Sequence, residues 1–551
     1  SIANQNLPEE DQIWLDATSL NLKVSKVKIV DSDINVRIEQ FNFKGKRHKE
    51  NYVVNQLSGN LHYSNTELAF KDLTLESDTS LLLGTLYFKF TKENGFGDFA
   101  NKVNWDLDLK QGSKVSGKDM RYFVKTWDSD AVVDLSAQAK GTLNALTLTN
   151  PLLSVNNTVY SSSQLVLKDL VREDNTSFSI NTKEARLQTS YASLKSWLPK
   201  FISVKIPEII SNLGTSNYVG EFSIDKNLLV TKGNLVSSVG SIKADARLTD
   251  YSSNNPKYEG WVETNHLNLA PFTKSSTIGP VTSKIYFDGK GFNPSHMDTK
   301  FDAKLASLEF NGKVIHSISA VGNLKNQIFK GKINTDDVHA KLDFQGDVDF
   351  SQKTIKTAFE SDIKSLDLGY FIPVVDANTD FKGVIKTNVQ FSSIDDLVGD
   401  ISIKDIVLTK NQEAPVNYND IQITTTSEGG NRNLDIFSPN MITANIYGKY
   451  KLNDVPAMLQ EGIGNLLVNY KPKRRFDTQE FSFILDVQKD LFDLLMLDVN
   501  ISPGTTITGR YIGKGNQLQT QIISQYIYYK NIKLSNPNVF LNTADSLRQF
   551  T

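Results

Sequence analysis

The chain has 551 residues, 39% of them hydrophobic, 10% aromatic and 22% charged, a balance of folded rather than disordered proteins. Its 60 Lys+Arg against 62 Asp+Glu leave a formal charge of −2, so no global field draws it to nucleic acid or an anionic membrane. Cysteine is absent, which excludes disulfide scaffolds, thiol catalysis and Cys-ligated zinc or iron–sulfur sites, and suits an oxidising compartment such as a periplasm.

In chain order the dominant signal has a period of two. Ile34, Val36 and Ile38 alternate with Asn35, Arg37 and Glu39, and Val103, Trp105, Leu107 and Leu109 alternate with Asn104, Asp106, Asp108 and Lys110. Phe301, Ala303 and Leu305 share a register; so do Leu342 with Phe344, Val348 with Phe350, and Phe481, Phe483, Leu485 and Val487. Successive strand side chains point to opposite faces, so each stretch describes a sheet with one apolar and one wet face. Antiparallel strands read this way; buried parallel strands read as unbroken apolar runs. Turns are expected at Glu93-Asn94-Gly95, Gln345-Gly346-Asp347 and Gly429-Gly430-Asn431.

Helical patterns are few. Residues 193–211 carry Leu194, Trp197, Leu198, Phe201 and Ile202, interrupted by Pro199 and Pro207. Residues 454–469 start with an Asp454 cap and Pro456 in the first turn, and residues 490–498 hold a third short candidate. These read as plugs packed on the sheet, with a membrane-surface or partner-contacting helix as the alternative. No run of about 18 apolar residues suits a membrane-spanning helix. Ser1 stands where a Met would start a chain, and the reading is of a processed product or fragment whose anchor lies outside this sequence.

A loose repeat has anchors near residues 263–272 and 362–371, each a strand end, then Leu-x-Leu, then an aromatic, with degraded copies near 117–123 and 490–495. Each anchor leads to a strand expected to end in glycine: Gly141, Gly289, Gly383 and Gly509. No Pro, Gly or Ser-rich linker intervenes, so residues 1–551 read as one continuous elongated body. At one strand per ~12 residues the chain holds on the order of 45 strands, far beyond the ~10 that an open twisted sheet tolerates before curling or splitting. The expected fold is therefore all-β: a long antiparallel sheet curled into an open groove, apolar inside, with a few short helices.

Catalytic signatures are missing. The histidines His48, His62, His266, His296, His316 and His339 show no zinc spacing. Residues 112–118 match a phosphate-binding loop in spacing, but Asp119 stands where a Ser or Thr should hold magnesium. Gly289-Lys290-Gly291 and Gly513-Lys514-Gly515 lack the third glycine of a dinucleotide site. No Gly-x-Ser-x-Gly elbow occurs, and the carboxylates alternate with apolar residues as a solvated face. No enzyme, cofactor or metal is expected. The basic run Lys471-Pro472-Lys473-Arg474-Arg475 is a solvated loop or a contact for anionic headgroups or an acidic partner. Tyr526, Tyr528 and Tyr529 are ordinary strand aromatics.

The train of alternating strands, the Leu-x-Leu anchors and stretches such as residues 68–75 before residues 84–88 resemble the AsmA-like proteins, and among them the TamB-type translocation and assembly module subunits. The resemblance covers most of the chain as texture, without an invariant motif. It lacks that family's N-terminal membrane helix and a clear C-terminal conserved domain. It implies a periplasmic bridge that carries phospholipids between inner and outer membranes in a repeating β-groove. It further implies an outer-membrane β-barrel partner of the Omp85 type, an inner-membrane anchor outside this chain, a part in outer-membrane protein assembly, and no nucleic acid. By alternation the groove lining falls on Val103, Trp105, Leu107, Phe301, Leu305, Leu342, Phe344, Phe481, Phe483 and Leu485, a pattern that a dry core shares. Two other readings compete. One is an elongated envelope scaffold that holds β-barrel partners by strand addition. The other is a secreted β-rich enzyme or carbohydrate-binding module, which the even spread of Asp and Glu disfavours.

Overall fold

A computed structural model of the chain describes residues 16–47, 50–121, 127–169, 178–204, 206, 208–372, 379–411, 413–467, 469–488, 499–529, 532–543 and 549–550. Contacts divide the chain into two units, residues 1–291 and 292–551. The fold is all-β, with antiparallel sheet that curls and only short helices, as the alternation predicts. The longest described helix, Val455–Gly464, has 10 residues.

The first unit begins with five strands: β1 (Asp16–Val30), β2 (Asp33–Arg47), β3 (Glu50–Tyr63), β4 (Glu67–Ser77) and β5 (Leu81–Lys89). Each pairs antiparallel with the next. Every ladder has a register slip near its middle: between Ser25 and Lys28 in β1, Ile38 and Phe41 in β2, Ser58 and Asn60 in β3, and Phe70 and Leu73 in β4. The slips face one another, since Arg37 opposes Ser25, Gly59 opposes Ile38, Lys71 opposes Asn60, and Gly84 opposes Leu73. A bulge bends its strand and increases local twist, so bulges aligned across neighbours crease the sheet. Farther along, the crease becomes a break. Asn104–Leu109 and Lys114–Ser116 both pair with Val132–Thr142, and Thr158–Ser161 and Gln164–Lys168 both pair with Ala145–Val155. The later strands, from Ser216–Asp225 to Ile278–Lys290, form a simple meander.

The second unit repeats this plan. Asp298–Phe310 turns through Asn311-Gly312 (φ 50° and 72°) into Lys313–Lys325, the dipeptide that a tight right-twisting hairpin demands. Ile328–Asp336, Ala340–Asp349, Ile355–Asp367, Thr379–Phe391 and Val398–Lys410 follow, each antiparallel to the one before. Slips between Lys341 and Leu342, Ile363 and Leu366, and Lys382 and Val384 again lie side by side.

Several expected stops are strand interiors. Gly346 lies within Ala340–Asp349, so Gln345-Gly346-Asp347 is no turn. Gly383 and Gly509 lie inside Thr379–Phe391 and Thr505–Ile512 rather than ending them, whereas Gly141 and Gly289 sit near strand ends as expected. The glycines do not stop the strands; they leave room on the apolar face. Residues 193–211 break where the prolines fall, into Tyr191–Trp197, Lys200–Ser203 and the 3-10 turn Glu208–Leu213. Three repeat anchors become one-turn helices at strand ends: Gly117–Met120, Ala270–Thr273 and Leu368–Phe371. The anchor at 490–495 and the helical candidate at 490–498 lie outside the described residues, as does the side chain of Tyr529.

Candidate functional site

The apolar face of each sheet carries the sequence-predicted residues, and the structure sorts them into three groups. In the first unit, Trp105 and Leu107 project from Asn104–Leu109, with Phe88 and Leu86 on one side and Gly141 and Ala139 on the other. Here the chain covers its own face. Phe96 and the helical turn Phe99–Lys102 fold onto it, with the Trp105 ring 5.0 Å from Phe88 and 5.6 Å from Phe99. Val103 is fully buried behind that turn, and Leu107 packs on Ala137, Ala139 and Leu148.

The second group is in the second unit and lies open. Phe301, Leu305, Leu342 and Phe344 are half-buried and share one face. Register places them in three successive rows: Phe301, Gly322, Gly331, Gly346 and Phe359 in the first, Ala303, Ala320, Ile333, Phe344 and Ser361 in the second, and Leu305, Ile318, Thr335, Leu342 and Ile363 in the third. The aromatic rings run across the strands as a chain, Phe301 to Phe329 at 6.2 Å, Phe329 to Phe344 at 6.5 Å and Phe344 to Phe359 at 5.0 Å. Phe329 lies over its neighbouring glycines: a Cβ on Gly331 would meet its Cζ at 2.9 Å, and one on Gly322 its Cε2 at 2.8 Å. A ring replaces the missing side-chain packing, the rescue that strand glycines need.

The third group is closed. Phe483 and Leu485 stay half-buried on Glu480–Val487, but Phe481 is only 3% exposed, enclosed with Tyr450, Met458, Phe476, Tyr511 and Leu518. Met458 comes from Val455–Gly464, which lies across this end as a cap. The cap is fixed by a buried carboxylate: Glu461 accepts the Tyr470 hydroxyl at 2.9 Å and the backbone N–H groups of Lys473 and Arg474 at 3.1 to 3.2 Å. That hydrogen bond to Glu461 also pushes the Tyr470 hydroxyl above its ordinary range. The backbone of the basic run therefore belongs to the cap. A second polar strut is Arg432, buried to 5%, which donates to the carbonyls of Ile394, Asp395 and Leu397 at 2.7 to 3.1 Å. Its guanidinium lies 6.0 Å from the Tyr450 ring, whose hydroxyl burial pushes up to about 12. The turn it holds, Ile394–Asp396, is closed by Asp396, whose carboxyl the Ser392 and Ser393 hydroxyls and N–H groups lower to about 2.

Two histidines lie against carboxylates in pairs that sequence spacing did not show. His316 Nδ1 lies 3.0 Å from Asp337, and His339 Nδ1 lies 2.9 Å from Asp367, with the His339 ring stacked 3.8 Å from Tyr370. Lys313–Lys325 extends beyond Ile328–Asp336 here, leaving backbone groups without a partner strand. Side chains fill in: Asp337 accepts the His316 N–H at 2.8 Å, and the Tyr370 hydroxyl bonds both N–H and carbonyl of Val314. Burial raises the Asp337 carboxyl, but the N–H groups of His339 and His316 outweigh it and hold the group below its ordinary range. Among the described residues no three His, Asp or Glu gather as metal ligands. Asp119, in the phosphate-loop look-alike, instead accepts hydroxyls of Ser77 and Thr79 at 2.6 and 3.1 Å, tying two strand ends together.

Sequence reasoning missed Phe329, Phe359, Phe88, Phe96 and Phe99. A signal existed for part of this set: an aromatic two residues before a mid-strand glycine, as in Phe329-x-Gly331, Phe344-x-Gly346, Phe381-x-Gly383 and Tyr218-x-Gly220. Residues i and i+2 share a face, so the ring can lie over the glycine. No helix among the described residues is long and apolar enough to cross a membrane. No known family model and no curated protein matches the chain.

Proposed function

We propose that the chain carries phospholipid acyl chains along the apolar face of its curled sheet. The observation that supports this is the second group: Phe301, Leu305, Leu342 and Phe344 share one face of a five-stranded meander yet stay half-buried, whereas a dry core would enclose them. Exposing a C16 tail to water costs on the order of 13 kcal/mol at ~0.8 kcal/mol per methylene. A continuous apolar face offsets that cost while the headgroup stays wet. Passage then needs no bond chemistry, only neighbouring sites of similar affinity, such as the successive rows of this meander.

In this reading the protein works in the periplasm between two membranes, delivering lipid toward an outer-membrane β-barrel partner, in keeping with the TamB-like texture of its sequence. The cap at Val455–Gly464 and the aromatic cover at Phe96 and Phe99 are then places where the chain itself occupies the apolar face.

Native mass spectrometry of protein purified without detergent tests the proposal. Bound phospholipid is expected, together with loss of vesicle-to-vesicle lipid transfer in Phe344→Asp at unchanged circular dichroism. Lipid-free protein whose transfer is indifferent to Phe344→Asp would sink it.

A further inference from the structure

The described strand with the most exposed apolar side chains is β1. Leu20, Leu22, Val24, Val27, Ile29 and Val30 are between 40% and 63% exposed along its 15 residues. Register sets Leu22, Val24 and Ile29 opposite Phe41, Ile38 and Ile34, so the apolar face of the first unit runs out to this margin. Lys23 and Lys28 fall on the other face, opposite Gln40 and Asn35, and Lys26 sits in the bulge between them.

Such a margin could meet a partner strand, a second copy or a lipid surface. Its backbone is a poor strand acceptor. Two bulges in this one strand, with Ser19 and Lys26 at φ 55° and 51°, interrupt the row of N–H and C=O groups that strand addition requires. A second copy added edge to edge would set Lys23, Lys26 and Lys28 against the same three lysines. An anionic bilayer has neither objection. It accepts apolar side chains without asking for backbone pairing, and its headgroups neutralise lysines that reach up from the edge.

We infer that β1 is a docking edge for an anionic lipid surface, with Leu22, Val24 and Ile29 entering the acyl layer and Lys23, Lys26 and Lys28 meeting the headgroups. The inference deepens the carrier reading by naming where lipid enters, and it rests on that reading only for the direction of traffic.

Flotation of the full chain with phosphatidylcholine vesicles, with and without 30% phosphatidylglycerol, tests it. Binding is expected on the anionic vesicles, to fall roughly 100-fold in the triple variant Lys23→Gln, Lys26→Gln, Lys28→Gln, at about five-fold per lysine. A further loss is expected in Leu22→Ser, Val24→Ser. The lysine variant keeps every apolar contact, so its loss of binding is not a loss of folding. Binding that ignores vesicle charge, or survives both variants, overturns the inference. So does a dimer by light scattering that Leu22→Ser dissolves, which would assign the edge to a second copy. Lipid retained in both variants by native mass spectrometry separates the outcomes: failed docking with retained lipid removes this edge alone, and charge-dependent docking by lipid-free protein supports the edge while removing the carrier reading.

Discussion

Two stretches of the second unit carry the same alternation and end differently. Across Asp298–Phe310 to Ile355–Asp367 small or branched side chains such as Ala303, Ile318 and Ile363 are buried, but the rings of Phe301, Phe329, Phe344 and Phe359 remain half-buried and touch one another across the sheet. Across Glu480–Val487 to Gln517–Ile523 the same pattern is sealed, with Phe481, Tyr511 and Leu518 at 3% exposure or less. The difference does not lie in the strands. It lies in the ten residues of Val455–Gly464 and in Glu461, which fastens the following loop beneath it. Strand periodicity decides which face is apolar; an element outside the strands decides what covers that face.

The comparison can be broken by truncation. Met458→Ala, inside the sealed stretch, is expected to destabilise the protein by about 2–5 kcal/mol, because a buried side chain leaves both lost transfer energy and a cavity. Leu305→Ala, in the open stretch, should cost only about 1 kcal/mol, since part of its surface is already wet. Denaturant unfolding of the two variants reads the difference, and equal losses would mean that the open stretch is as dry as the sealed one.

A smaller effect sharpens the role of the glycine row. Gly331→Val drives a side chain into the Phe329 ring and toward the Val321 carbonyl, which a Cβ would meet at 2.4 Å, and should cost about 1–3 kcal/mol. Gly429→Asn, in an open turn at φ 60°, should leave the melting temperature within experimental scatter. A further effect is one of pH. Asp337 and Asp396 both have folded carboxyls held below their ordinary range, so their contribution is complete above the unfolded carboxylate pKa near 3.9. It declines as pH falls, for Asp396 down to about 2. Asp337→Ala should remove its share of that acid slope and, by orphaning the His316 and His339 N–H groups, lower stability by about 1–3 kcal/mol at neutral pH. Acid titration of unfolding of Asp337→Ala beside the unaltered protein measures both.

The fold class was legible because alternation is a local property: Phe301, Ala303 and Leu305 declare their face without knowing their neighbours. The break at Pro199 and the helix start at Pro456 were legible for the same reason, each resting on one residue's backbone chemistry. Asp454, expected as that helix's cap, instead accepts from Gln479 and makes no side-chain cap bond. Gly346, Gly383 and Gly509 misled because a glycine permits a turn but does not require one, and here it makes room for a ring or an adjacent strand. Val103 and Phe481 share a period with Leu107 and Phe483 yet are enclosed, because what covers them comes from Phe99–Lys102 and Val455–Gly464, elements that no period-two count contains. His316 and Asp337 meet only because one strand overruns its neighbour, a difference in length that emerges after pairing.

The aligned slips of β1 to β4 have a mechanical meaning. At each slip the ladder already lacks a rung, so the sheet can flex there without breaking one that exists. Stiff panels on either side of a soft seam make the width between them a low-energy coordinate, and amides along the seam should be the first to exchange with deuterium. A channel hinged in this manner widens by folding, as a book does, rather than by stretching its pages.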